Sequence, residues 1–186
     1  MRPNAIGPAN GSVIGSVIDS VIEIYSNIFL DNRGSFLNAF RKENLAFQKI
    51  WGEREIKQVN LSETREIGAI RGMHFQKGIH SEAKIVRCLS GAIWDVAVDL
   101  RPESKTFCKW HAAKLTAKNG IALLIPEGCA HGFQVLEKNS KLLYLHSGNW
   151  IKDSESGVRW NDPKLGISWP LTVSQLNEKD KNFPFL

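Results

Sequence analysis

The segment AIRGMHFQKG, residues 69–78, places an arginine, a histidine and a glutamine within an apolar run bounded by glycines. Such a run reads as a buried strand, yet it carries polar groups that are costly to bury unless they have partners or work to do. On a strand, alternate side chains face the same way. Arg71, Met73 and Phe75 are therefore expected on one face, and Gly72, His74 and Gln76 on the other. Further along, Pro126 and Gly128 of IPEGCAHGF mark a turn, after which His131 is placed to enter the same cavity from a neighbouring strand. Imidazoles change charge near neutral pH and serve as proton carriers or metal ligands. A pair of them on adjacent strands is a candidate site.

The elements that must position these groups read as β almost throughout. Short β-branched and aromatic runs recur with turn residues between them: VIEIYS, REIKQVNLSE, GAIRGMHFQ, AKIVRCLSG, AIWDVAVDL, CKWHAAKLT, GIALLIPEG, HGFQVLE and SKLLYLHSG. In AIWDVAVDL, Trp94, Val96 and Val98 alternate with Asp95, Ala97 and Asp99. KNSK and KNG have the composition of hairpin turns. Helix is expected only over residues 37–48, LNAFRKENLAFQ, and around SQLNEKD near the C-terminus. So many closely spaced strands predict an all-β sandwich or jelly roll, which closes around a pocket.

Composition narrows the function classes. A chain of 186 residues, 42% hydrophobic and 23% charged, is expected to form a single domain with a proper core. Residues 1–12, rich in Gly, Pro and Asn, read as a flexible lead-in, and GSVIGSVIDSVI is a stutter too short for a repeat fold. No signal-peptide or membrane-spanning pattern is present, which predicts a cytoplasmic protein with no membrane partner. Cys88, Cys108 and Cys129 lack disulfide or zinc spacing and read as reduced structural thiols. The net charge of +5 and pI near 9.2 favour an anionic partner. Lys and Arg are scattered and no nucleic-acid-binding motif is found, so a small phosphorylated ligand fits better than nucleic acid.

Several motifs in unbroken order carry a more specific message. DNRGSF, RGMHFQ, AKIVRC, WDVAVDLRPESKTF, IPEGCAHGF and RWNDPKLGISWP together resemble the dTDP-4-dehydrorhamnose 3,5-epimerase family of cupin-fold sugar epimerases, over roughly residues 20–186. The resemblance implies a double-stranded β-helix, or jelly roll, with a few short peripheral helices. It also implies a homodimer that works without a cofactor on a nucleotide-diphosphate 4-keto-6-deoxy sugar. Epimerisation beside a ketone needs a base, a stabiliser for the enolate oxygen and an acid on the opposite face. By resemblance these are His74, oriented by Asp180, then Lys84 and Tyr144. Arg71, Gln58, Asn60 and Gln76 are implied contacts to diphosphate and sugar, and Arg33 an arginine supplied across the dimer to a phosphate. His131 is expected to shape the pocket, with Asp95 as its possible partner, and Trp150 to flank the sugar.

The chain also departs from the family pattern. LHSGNW has Asn149 and Trp150 where many members carry tyrosines, and Asn38 stands where a glutamate is common. These differences leave open whether C3, C5 or both are inverted. Cupin chemistry of another class, through a metal on His74, Glu82 and His131, is disfavoured because GMHFQ lacks the second histidine of an HxH pair. A non-catalytic sugar-nucleotide-binding cupin is a further alternative.

Overall fold

Strands such as IALLI, residues 121–125, carry apolar side chains on both faces, a pattern that requires cover on both sides of a sheet. The computed structural model, which describes residues 4–6, 13–15, 18, 20–42, 48 and 51–186, supplies that cover. In chain order the strands are β1 (Asn4–Ile6), β2 (Val13–Gly15), β3 (Ile22–Tyr25), β4 (Ile28–Asp31), β5 (Gly34–Leu37), β6 (Gln58–Thr64) and β7 (Ile70–Gln76). They continue with β8 (Lys84–Ser90), β9 (Ala92–Asp99), β10 (Trp110–Thr116), β11 (Ile121–Ile125), β12 (Cys129–Val135), β13 (Ser140–His146) and β14 (Glu155–Gly157). The helix α1 (Glu178–Lys181) lies near the C-terminus.

A larger sheet of six strands, β2-β3-β11-β8-β13-β6, faces a smaller sheet of five, β10-β9-β12-β7-β14, while β1, β4 and β5 form a separate ribbon. Val86, Cys88, Leu123, Ile125 and Leu142 of the larger sheet meet Ile93, Ala97, Leu115, Phe133 and Val135 of the smaller one in a shared core. Behind the larger sheet Trp51 packs on Ile22, Ile24, Ile85, Leu124 and Leu145. Behind the smaller sheet Val158, Leu165 and Trp169 cover Met73, Val96 and Val98. The jelly-roll expectation is met, and the AIWDVAVDL alternation holds: Val96 and Val98 face the outer layer and Ala97 the core.

The turns at KNSK and KNG form, but they are not hairpin turns. β10 pairs with β9 and β11 pairs with β3 and β8, so the turn at 117–120 passes from one sheet to the other. The turn between β12 and β13 does the same. Turn composition fixes the reversal of the chain but not the partner of each strand. The short helix expected around SQLNEKD forms as α1, capped by the Asn177 side chain, which accepts from the Asp180 N–H at 2.6 Å. Of the helix expected over 37–48, Leu37 ends β5, residues 38–42 are non-helical, 43–47 lie outside the described residues, and Gln48 is helical, its carbonyl accepting from the Gly52 N–H at 2.8 Å. No described helix is long and apolar enough to cross a membrane, and Cys88, Cys108 and Cys129 form no disulfide.

Strict alternation fails in β7. His131 of β12 stands opposite His74 and Phe133 opposite Arg71, so β7 holds one residue more than β12 over this interval. Beyond the bulge the facing is reset: Met73 and Phe75 join the outer layer, whereas Arg71 lines the same cavity as His74. The expectation that Arg71 shares a face with Met73 and Phe75 is thereby corrected. The bulge needs two facing glycines. Gly72 has φ of +119°, and a Cβ on Gly132 would lie 2.6 Å from Met73 Sδ and 2.8 Å from the Arg71 carbonyl. Gly132→Ala is expected to cost about 1–3 kcal/mol, the usual range for overpacking, read as a lower midpoint in urea unfolding; an unchanged midpoint would refute this account of the bulge.

Candidate active site

A cavity of about 450 Å³ opens between the two sheets, lined among others by Arg71, His74, Lys84, His131, Tyr144 and Trp150. Its walls follow from the topology. His74 on β7 and His131 on β12 belong to the smaller sheet; Lys84 on β8 and Tyr144 on β13 belong to the larger one. Groups on one sheet therefore face groups on the other across the space a ligand would occupy.

His74 Nε2 lies 2.7 Å from Asp180 Oδ1, and the Gly72 N–H donates to Asp180 Oδ2 at 2.9 Å. Asp180 is fully buried. Burial alone would raise its carboxyl pKa, but the bonds from His74 and the Gly72 N–H outweigh that and hold it below the ordinary carboxylate range. With the N–H on Nε2 directed at the carboxylate, Nδ1 is the ring nitrogen left to take a proton. The C-terminal segment delivers Asp180. Phe183 packs edge-on to His74 with ring centroids 5.5 Å apart, and its carbonyl accepts from Arg159 Nε at 2.8 Å. The SQLNEKD segment thus places its last residue against a strand a hundred positions earlier in the chain.

A second imidazole–carboxylate pair stands next to the first. His131 Nε2 is 2.7 Å from Asp95 Oδ1, and both side chains are buried. Burial, only partly opposed by Asp95, lowers the His131 pKa, so this ring is neutral at physiological pH. Tyr144 meets His131 edge-on at 6.1 Å and stacks on His146 at 5.9 Å. Burial pushes the Tyr144 phenol above its ordinary range, with the Asp95 charge adding to the effect, and the hydroxyl stays protonated. Lys84 Nζ, also buried, lies 3.4 Å from Glu82 Oε1, and the same oxygen is 3.1 Å from His146 Nδ1.

Residues 16–186 match the sequence profile of the family described as dTDP-4-dehydrorhamnose 3,5-epimerase. The chain belongs to that family. A curated epimerase of Sinorhizobium fredii is 40% identical over 159 residues, covering 85% of this chain and 80% of that one. The Legionella pneumophila epimerase RmlC, solved in complex with dTDP-4-keto-L-rhamnose, superposes with a TM-score of 0.87 at 33% identity, covering 94% of this chain and 92% of that one. ChmJ of Streptomyces bikiniensis, a 3'-monoepimerase solved with dTDP-quinovose, gives 0.83 at 31% identity, covering 91% and 85%. Members that differ in how many centres they invert thus share this epimerase fold.

The other epimerase-site candidates divide into those at the cavity and those that support it. Arg71 lines the cavity while its Nε donates to Thr64 Oγ1 at 2.9 Å. Asn60 lines it as well. Gln76, an expected contact to substrate, lines the cavity too, while its amide is engaged by protein: Nε2 donates to the Asn149 carbonyl at 3.0 Å, and Oε1 accepts from the Ile151 N–H at 2.6 Å. Gln58 likewise accepts from the Trp150 N–H at 2.9 Å and donates to Asn60 Oδ1 at 3.0 Å. Both glutamines hold the loop that presents Trp150. Arg33 lies outside this cavity, on the exposed β4–β5 turn, paired to Asp31 at 2.5 Å. Asn38 is exposed.

Glu82 and His146 were not foreseen as a pair in this site. The signal was available in strand periodicity: His146 follows Tyr144 by two on β13, and Glu82 precedes Lys84 by two. Among the described residues no group of three or more His, Cys, Asp and Glu side chains stands where it could hold a metal. The triad His74, Glu82 and His131 is instead divided among Asp180, Lys84 with His146, and Asp95.

Proposed function

We propose that this chain inverts C3, C5 or both beside the C4 ketone of a dTDP-linked 4-keto-6-deoxy sugar. The observation that carries the reading is His74, backed by Asp180, on one sheet with Tyr144 on the sheet opposite, across a single cavity. His74 Nδ1 removes the proton from the carbon next to the ketone, and the C–H electron pair shifts onto the C4 oxygen. The Lys84 ammonium stabilises that oxyanion, more strongly in a desolvated cavity than in water. Tyr144 gives its hydroxyl proton to the other face of the enolate, and the resulting phenolate and imidazolium return to their starting states by exchange with solvent. No step needs a cofactor.

Arg71 suits the diphosphate, since a guanidinium donates two parallel bonds to phosphate oxygens. Arg33, exposed and remote from the cavity of its own chain, fits a homodimer in which Arg33 of the partner subunit reaches the phosphate. Uncovered Phe36 beside it and Leu61 on the edge strand β6 are consistent with such an interface. Cysteines that form no disulfide and the nucleotide-sugar substrate fit a cytoplasmic enzyme.

The experiment that tests this reading is proton NMR of a dTDP-4-keto-6-deoxy sugar incubated with enzyme in heavy water. Exchange and inversion at C3 or C5 are expected; no exchange at either carbon would leave a binding protein instead. With Tyr144 as the phenol facing the ring and Trp150 at its rim, the two carbons are expected to exchange at rates differing by about tenfold or more, on the scale of one positioned acid. Trp150→Tyr, which restores a second phenol, is expected to narrow that gap. Equal rates in the parent protein would remove the phenol argument.

A further inference from the structure

A run of polar contacts joins the floor of the cavity to its rim. The Trp150 N–H donates to Gln58 Oε1 at 2.9 Å, and Gln58 Nε2 donates to Asn60 Oδ1 at 3.0 Å. Asn60 Nδ2 lies 3.3 Å from His146 Nε2, and His146 Nδ1 lies 3.1 Å from Glu82 Oε1, a charge contact in which Nδ1 makes no well-aligned hydrogen bond. Glu82 Oε1 is in turn 3.4 Å from Lys84 Nζ. The donors all run one way. An amide N–H at Asn60 selects the imidazole tautomer with its hydrogen on Nδ1, the nitrogen beside the carboxylate, so every link sets a donor on the side of Glu82.

Glu82 is the anionic end of this run and is itself buried, its Oε2 having no hydrogen-bond partner. A buried carboxylate left half satisfied is costly, and a neutral side chain would fill the space without that cost. The cavity groups around Lys84 explain its presence. The cross-strand neighbours of Lys84 are Ile125 on β11 and His146 on β13, and His131 and His74 face it from the smaller sheet. Of these, none is a carboxylate, and Glu82 is the carboxylate that meets the ammonium among the described residues.

We propose that Glu82, acting through His146, Asn60 and Gln58, is a positioning residue that fixes Lys84 on the cavity floor and ties it to the rim at Trp150. The kinetic part rests on the epimerase reading; the structural coupling does not. Cutting the run in its middle should loosen the rim, and changing its anionic end should disturb the oxyanion cation.

The test pairs a measurement made without substrate with one made during turnover. Amide hydrogen exchange at Trp150, followed by NMR in the free protein, is expected to quicken at least fivefold in His146→Leu, although position 146 makes no direct contact with the Trp150 N–H. Asn60→Ala, at a solvent-exposed position on the cavity wall, cuts the same run without touching the core and is expected to do likewise. His146→Gln, which can still donate to Glu82 and accept from Asn60, is expected to restore slow exchange. In turnover, Glu82→Gln is expected to lower kcat about tenfold with KM within twofold, whereas His146→Leu raises KM about fivefold with a smaller change in kcat. Exchange at Trp150 within twofold of the parent in both His146→Leu and Asn60→Ala overturns the proposal, whether or not the substrate is correct. Parental kcat in Glu82→Gln of an active enzyme overturns its Lys84 half.

Discussion

His74→Asn is expected to lower kcat by at least about a hundredfold while leaving the protein folded. A positioned general base is worth roughly two to four orders of magnitude, and asparagine keeps a donor for Asp180 while removing the basic nitrogen. The substitution is well suited to the site because the carboxylate is buried and would be destabilising if stripped of its partner. His74→Ala strips it, so the alanine variant should lose stability as well as activity, and the asparagine variant activity alone. Turnover of the 4-keto sugar nucleotide together with urea unfolding separates these outcomes. Near-parental turnover in His74→Asn would take the imidazole out of the mechanism.

Tyr144→Phe is expected to split the reaction into its halves. The base on β7 is untouched, so a substrate proton is still removed and deuterium from heavy water still enters. Without the phenol facing it from the larger sheet, the enolate is reprotonated from the face that lost the proton, and inversion should fall about a hundredfold while exchange falls much less. Loss of exchange and inversion to the same degree would show that Tyr144 acts before the enolate forms.

The double-layered β architecture was legible in the sequence because its signals are local: β-branched runs, turn residues and short spacing. The family motifs carried the candidate site further than periodicity could. His74 and Asp180 are separated by most of the chain, and nothing in NEKD itself announces that its aspartate is buried beneath an imidazole. What stayed hidden depended on long-range register. The bulge in β7 comes from the close approach of Gly72 to Gly132, which cannot be seen from either segment alone, and so Arg71 was assigned to the wrong face. The sheet-crossing turns were misread for the same reason, since Gly and Asn specify a reversal and the packing of distant strands chooses the partner. The family motifs imply Gln58 and Gln76 as ligand contacts; what they do not announce is that both amides also hold the backbone of the neighbouring loop, Gln76 while lining the cavity.

That last arrangement bears on how the sugar nucleotide gets in and out. Gln76 clamps residues 149 and 151 from the buried side and Gln58 holds residue 150 between them, so the rim segment is secured at three successive positions. A rim held in this way is expected to act as a fixed doorway and not as a shutter. The entropy of ordering it is lost once, when the chain folds, and is not lost again with every substrate molecule that arrives. Entry to such a site is expected to run by diffusion through an open mouth, which would leave the pace of the cycle to the proton transfers within.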